Sequence, residues 1–336
     1  MKLSLMIPTH KNADTIAGTL ESALVQQHRP LEILVYDEAS RDGTREIVEE
    51  LLATADPDIE TRLLTSEENS GPVRAWRVAL HEITGDWCCF VWSDDILKPD
   101  FSTRMMAAAG RAAAEGRTLV TCSAEVENER GVLPYLSTDA GLATPLEYSE
   151  GIFLRRFPLT QICSVYPTEV TRKVFDRHVD IENPRGYNYS RHAYGNDVGF
   201  LSELAMEGGG VELVGERLVR LVMSERGMTN RATGNHLWQM RWQYTYAFLR
   251  VWRWWAERGD PGSDRLVGMA ERRLALCSIM VGGLRERLSP VNLAKAIRAY
   301  LEYRRLDYQL NKTTLDEHRA AVAGSHRRDV PQHSVT

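Results

Sequence analysis

Short apolar runs alternate with amphipathic stretches through the first 125 residues. Leu3–Ile7, Leu31–Tyr36, Thr61–Leu64, Trp87–Trp92 and Leu119–Cys122 read as strands. Several are apolar nearly throughout, as strands covered on both faces are. Between them, Ala13–Gln26, Thr44–Leu52, Val73–Glu82 and Phe101–Glu115 carry apolar residues at helical spacing, for example Ile16, Leu20, Ala23 and Leu24. This alternation predicts an α/β unit whose mostly parallel central sheet is flanked by helices. In such a sheet the ligand site lies at the carboxyl ends of the strands.

Residues 126–235 are less regular. Pro134, Pro145, Pro158, Pro167 and Pro184 interrupt them, and only Asp197–Glu207 reads clearly as a helix. Two short strands, Gly210–Val214 and Leu218–Met223, are expected to follow. From His236 the pattern is helical over His236–Glu257, Ser263–Glu286, Pro290–Arg304 and Thr313–Ala323. Gly259-Asp260-Pro261-Gly262 and Ser289-Pro290 separate these segments. The expected organisation is a main domain over 1–235, with halves 1–125 and 126–235. A helical region over 236–323 and a disordered polar tail over 324–336 would follow.

Composition narrows the class. A length of 336 residues suits one large α/β unit with an added module. The formal net charge of -5 argues against a general nucleic-acid surface. The five cysteines are odd in number and form no C-x-x-C pair. Cys88, Cys89 and Cys122 fall in apolar runs, so they read as small core residues in a reducing compartment. Neither a charged-then-apolar leader nor a run of about 18 apolar residues is seen, so a cytoplasmic protein is expected.

The polar residues that could carry chemistry cluster where strands end. Four segments stand there: Ile7-Pro8-Thr9-His10-Lys11-Asn12, Val35-Tyr36-Asp37-Glu38-Ala39-Ser40-Arg41-Asp42-Gly43-Thr44, Asn69-Ser70-Gly71-Pro72-Val73-Arg74 and Phe90-Val91-Trp92-Ser93-Asp94-Asp95. The last sets two adjacent carboxylates after a buried strand, which is costly unless a cation or donors neutralise them. Mg²⁺ or Mn²⁺ shared with a substrate phosphate would do so. A solvated turn with an Asp helix cap is the plainer alternative. Asn196-Asp197 precedes a helical run, where Asp197 could simply complement the helix N-terminus.

Taken together, the segments resemble the inverting nucleotide-sugar glycosyltransferases of family 2, which have the GT-A fold. The resemblance rests on SLMIPTHKNADTIAGTLESALVQQ, LEILVYDEASRDGTREIVEE, NSGPVRAWRVAL and TGDWCCFVWSDDILKPDF, in that order across residues 3–101. YGNDVGFLSELAMEGG extends it to about residue 224, and the C-terminal helices lie outside it. It implies a nucleoside-diphosphate-sugar donor (UDP-, dTDP- or GDP-linked) and a hydroxyl-bearing acceptor. Pro8 and Thr9 would border the nucleotide pocket, Asp37 would accept from the base ring, and Glu38 would support that loop. Arg74 would lie near the nucleotide or phosphates. Asp94 and Asp95 would form the metal motif, with Asp95 the direct ligand. Asp197 would be the general base.

Three positions depart from the pattern. Trp92 stands where many relatives have an Asp, and Trp76-Arg77 stand where many have Arg-Asn. Ser224 stands where relatives often place a metal-binding His, with His236 as the available substitute. These departures keep open a nucleotide-sugar-binding protein without transfer activity. A nucleotidyltransferase is also α/β and metal-dependent, but should carry a glycine-rich loop after the first strand; here no glycine occurs until Gly18. The segment 238–255 concentrates Trp238, Trp242, Tyr244, Tyr246, Phe248, Trp252, Trp254 and Trp255 among arginines. Such a helix suits packing on the main domain. It would also suit peripheral contact with the inner face of a membrane.

Overall fold

The computed structural model describes residues 1–129, 131–137, 139–223, 234–282 and 290–301. Four parallel strands form its first half: β1 (Leu3–Thr9), β2 (Leu31–Glu38), β3 (Ile59–Ser66) and β4 (Trp87–Phe90). β1 and β2 are buried at every position, which explains their near-continuous apolar sequence. Helices α1 (Ile16–Leu24), α2 (Thr44–Leu52) and α3 (Pro72–Glu82) connect the strands. Register sets Thr9 beside Asp37, and Asp37 beside Thr65. The polar ends of three strands therefore share one edge.

The chain then passes through β5 (Ile96–Leu97), α4 (Phe101–Ala114), β6 (Val120–Asn128), β7 (Gly131–Tyr135) and β8 (Gly141–Ala143). Next come α5 (Pro145–Phe153), β9 (Ser164–Pro167), α6 (Thr168–Asp176), α7 (Tyr189–His192), α8 (Asn196–Glu207) and β10 (Val211–Val222). The main path of the ten-stranded sheet is β3-β2-β1-β4-β9-β6-β10-β5. β9 is the joint: it pairs antiparallel with β4 on one side and with β6 on the other. The sheet is thus mostly parallel with helices packed against it, as the sequence pattern predicts.

Residues 126–235 hold more regular structure than expected. Pro145 does not interrupt a helix but starts one. Thr144 accepts from the Glu147 N–H while the Glu147 carboxylate takes the Thr144 N–H, a reciprocal cap with Pro at the first position. The two strands expected after α8 are one strand, β10, whose pairing with β6 shifts register between Val214 and Arg217 and again before Val219. Extra residues on one strand, two at the first shift and one at the second, bend it without ending it.

Helices α9 (Gly234–Ala256) and α10 (Ser263–Val281) follow, with a further helical stretch over 290–301. The expected helix Thr313–Ala323 and the tail 324–336 lie outside the described residues. Most aromatic rings of α9 are used in packing. Trp242, Trp252 and Trp255 are buried, and Trp252 donates to Ser149 Oγ at 2.7 Å while packing on Phe153 and Phe248. Trp238 and Trp254 stay partly accessible, each under a guanidinium, from Arg241 and Arg258 respectively. No helix among the described residues is long and apolar enough to cross a membrane. All five cysteines are free and buried, and burial pushes the Cys88 thiol up to about 12.

Candidate functional site

The carboxyl ends of β1, β2 and β4 open into a cavity of about 1470 Å³, whose opposite wall comes from α5, α8, α9 and α10. Pro8, Thr9, Glu38, Asp94, Asp95 and Asp197 all line it. The loops that bear them are stitched together. Asn12 N–H donates to Thr44 Oγ1 at 3.0 Å, and the Lys11 N–H donates to Ser40 Oγ at 2.8 Å. Thr15 Oγ1 reaches the Ser93 carbonyl at 2.9 Å, tying the first loop to the acid segment. Glu38 accepts from both the N–H and the hydroxyl of Ser70, at 2.7 and 2.6 Å, so its carboxylate anchors the loop before α3.

Asp37 lies just beneath this surface. It is 0% exposed, and neither carboxylate oxygen has a hydrogen-bond partner. Arg45 Nε stands 3.6 Å away. Asp37 does not line the cavity, but a buried carboxylate with unfilled acceptor positions is costly, so a donor that reaches it is favoured. Arg74 is placed differently from the expectation. It does not line the cavity; its exposed guanidinium faces Asp180 at 3.6 Å. On α3 the buried positions are Val73, Ala75, Trp76, Ala79 and Leu80, which turns position 74 outward.

The acid pair sits on the turn after β4. Asp95 Oδ1 accepts from the Val222 N–H at 2.9 Å, which links the pair to the end of β10. Burial raises both carboxyls above their ordinary range, and the neighbouring Asp94 raises Asp95 further. A cation would relieve both costs. Among the described residues no group of three His, Cys, Asp or Glu could hold a metal. Ser224 lies outside them. His236 is turned to Tyr194, with Nε2 3.3 Å from its hydroxyl. Two carboxylates nevertheless fit Mg²⁺ or Mn²⁺, because such ions commonly take one or two from protein and the rest from substrate phosphate and water.

At the position of the absent acid, Trp92 fills space between α3 and the segment after α5. Its ring lies 4.6 Å from that of Trp76, and Nε1 donates to Thr160 Oγ1 at 2.9 Å.

Asp197 occupies the second position of α8, and its Oδ1 accepts from the Val198 N–H at 2.8 Å. A helix N-terminus should lower its pKa. Burial wins instead, and the carboxyl is pushed up to about 7. It is held there by a tight crossing. A Cβ on Gly195 would lie 3.1 Å from Ala247 Cβ, the Gln243 carbonyl and Tyr244 Cα of α9. Gly195 also has φ +100°, so a side chain is disfavoured twice over. Beyond Asp197 the wall includes Tyr135, Phe153, Arg155, Tyr244 and Arg273. No local sequence pattern marks Tyr135, Phe153, Arg155 or Arg273, and Tyr244 stands out only as one of the aromatics of α9.

The glycosyl transferase family 2 model matches residues 4–170. The succinoglycan biosynthesis protein ExoO of Rhizobium meliloti is 30% identical over 175 residues, covering 46% of this chain and 48% of ExoO. The chain thus spans about half the length of that relative. S. aureus TarS 1-349 in complex with UDP-GlcNAc superposes with a TM-score of 0.58 at 18% identity, over 89% of this chain and 79% of TarS 1-349. Its complex with UDP gives a TM-score of 0.54 at 17% identity, over 93% and 92% of the two chains. A family match that starts in β1 and runs through β9, on an architecture shared with TarS, shows that residues 4–170 form a glycosyl transferase family 2 domain with the GT-A fold.

Proposed function

We propose that the chain transfers a sugar from a nucleoside-diphosphate sugar to an acceptor hydroxyl with inversion at the anomeric carbon. The observation that carries this reading is Asp197: a carboxyl poised at about 7 in the same cavity as the Asp94-Asp95 pair. A group with that value is part ionised at neutral pH and still basic enough to take a proton. A protein that only binds nucleotide sugars has no use for it, and this disfavours the non-transferring alternative.

Asp197 removes the proton from the acceptor hydroxyl as that oxygen bonds to the anomeric carbon. The bond from the anomeric carbon to the diphosphate oxygen breaks on the opposite face, and the electron pair leaves with the diphosphate. Asp94 and Asp95 would hold the divalent cation, which when bound offsets the charge of the departing diphosphate. Pro8, Thr9 and Glu38 form the donor-side rim. Asp37, buried behind that rim with both oxygens unpartnered, is assigned to an N–H of the base. UDP-GlcNAc and UDP occupy the TarS complexes, so a uridine nucleotide is the first candidate here.

A panel of UDP-, dTDP- and GDP-sugars, scored for released nucleoside diphosphate, tests the assignment. Release should require Mg²⁺ or Mn²⁺ and stop in excess chelator. Full turnover in chelator would sink the cation's role, and binding without release across the panel would return the chain to the non-transferring class. Within the same panel, Asp37→Ala should weaken nucleotide binding by about 1–3 kcal/mol, the usual loss for a hydrogen bond to a charged group. Calorimetry reads this directly, and an unchanged dissociation constant would move the base elsewhere.

A further inference from the structure

The two ends of the cavity differ in charge, although Lys11 offsets part of the acidic donor-side end. Its carboxylates other than Asp197 are Asp14, Glu38, Asp94 and Asp95, all from the donor-side loops. The far end carries Arg155, Arg241 and Arg273 among aromatic rings. Two of these guanidiniums are engaged. Arg273 donates to the Phe153 carbonyl at 3.1 Å and lies 4.0 Å over the Phe153 ring. Arg241 lies 4.8 Å over Trp238. Arg155 differs: its backbone N–H donates to the Ile152 carbonyl at 3.2 Å, but its guanidinium forms no hydrogen bond and no ion pair with the described residues. The adjacent Arg156 turns away to Glu150, at 3.7 Å.

Arg155 is also held in an unusual place. It follows α5 with φ +56°, the left-handed conformation at which helix ends ordinarily use glycine. The Arg156 N–H closes that turn onto the Gly151 carbonyl at 2.7 Å. A strained residue that keeps a long cationic side chain in a cavity is a candidate for function. Its charge reaches the Tyr135 and Tyr244 hydroxyls, and Tyr244 also feels Asp197, so guanidinium and carboxyl belong to one basin.

We propose that Arg155 binds an anionic group, a phosphate or a carboxylate, carried by the acceptor. The guanidinium fork matches either group with two parallel N–H donors. Held there, the acceptor turns a nearby hydroxyl toward Asp197. This rests on the reading of Asp197 as the acceptor-side base, and it makes Arg155 a specificity determinant.

The test uses the full chain saturated with UDP and three probes that differ only at one carbon: methyl glucoside 6-phosphate, methyl glucuronide and methyl glucoside. Calorimetry should show at least one anionic probe bound about tenfold or more tightly than the neutral one. Whether the phosphate or the carboxylate wins identifies the group. Arg155→Gln should erase that preference while leaving UDP affinity and melting temperature unchanged, and Arg155→Lys should keep part of it. Equal binding of the three probes, no binding of any, or a preference that survives Arg155→Gln overturns the proposal. So does a fall in UDP affinity, which would assign Arg155 to the donor diphosphate. If Asp197→Asn keeps full turnover while Arg155→Gln loses the preference, the base assignment fails and the anion site stands.

Discussion

Asp197→Asn should lower turnover by about 10²–10⁴-fold at saturating donor, with nucleotide affinity unchanged, because a positioned base contributes a factor of that size. That corresponds to about 3–5 kcal/mol of barrier. The rival role for Asp197, a charge at the start of α8, is worth about 1 kcal/mol. Stability separates the two roles further. The folded carboxyl holds its proton up to about pH 7, whereas an ordinary Asp releases it near 3.8. Between those values the folded chain binds more protons than the unfolded one, so this group's contribution to stability falls as pH rises and is lowest above 7. Asn carries no such charge. The variant should therefore gain in melting temperature relative to the parent at pH 8 compared with pH 5. A simple helix-charge role predicts a loss at pH 8. Turnover of the parent should rise with pH through about 7, as the base becomes ionised. Asp197→Asn turnover within a few-fold of the parent would remove the assignment, and Glu203 would be the next acid to test. The structure makes Glu203 a weaker base, since its carboxylate is held by His178 Nε2 at 2.7 Å and Arg177 at 2.6 Å.

Trp252→Ala should destabilise the protein by about 3–5 kcal/mol, the range for emptying a large aromatic site in a core. Trp252 is 0% exposed, and its ring meets Phe153 and Phe248 at centroid distances of 4.9 and 5.2 Å. Its loss also leaves Ser149, already bonded to Ser202 at 2.9 Å, without its indole donor. The comparison is Trp254→Ala. That ring is partly accessible with Arg258 3.7 Å above it, and its removal should cost about 1 kcal/mol. Denaturant unfolding measures both. One core cluster contains Trp252 and Trp255 together with Phe90 of β4 and Phe200 of α8, so a single transition shifted as a whole is expected. An unshifted main transition with a separate early loss of helix would show that α9 and α10 melt on their own.

The elements most legible in sequence are those whose burial is simplest. β1, β2 and β4 are covered on both faces, so hydrophobic runs mark them, and α2 is expected and observed over the same residues, Thr44–Leu52. β1 and β2 extend past their apolar runs because the ladder carries Thr9, Asp37 and Glu38 into pairing, whereas β4 ends at Phe90, short of Trp92. α5 and α6 are less visible for another reason. Pro145 and Pro167 look like interruptions until the capping partners beside Pro145 are considered, and Pro167 stands at the entry to α6. In the site, residues that share a segment with their neighbours are legible: Pro8, Thr9, Glu38, Asp94, Asp95 and Asp197 all reach the cavity. Arg74 lies in the first turn of α3 but on the outward side of that helix. Arg155, Tyr135 and Tyr244 come from three distant segments, and nothing local in Leu154-Arg155-Arg156 distinguishes the residue that faces the cavity from the one that pairs with Glu150.

The crossing at Gly195 constrains how such a protein can diversify. The donor-side wall is built by β1, β2 and β4, whereas much of the opposite wall is lent by α9 and α10. Exchanging those helices would remodel one wall and leave the other intact, which is a short route to new acceptor preferences. The crossing sets one of the conditions on that exchange. Gly195 must stay glycine, because any Cβ there would lie 3.1 Å from Ala247 Cβ and from the α9 backbone at Gln243 and Tyr244. A replacement for α9 must therefore keep the contact that seats Asp197 as well as the buried packing of Trp252 and Trp255.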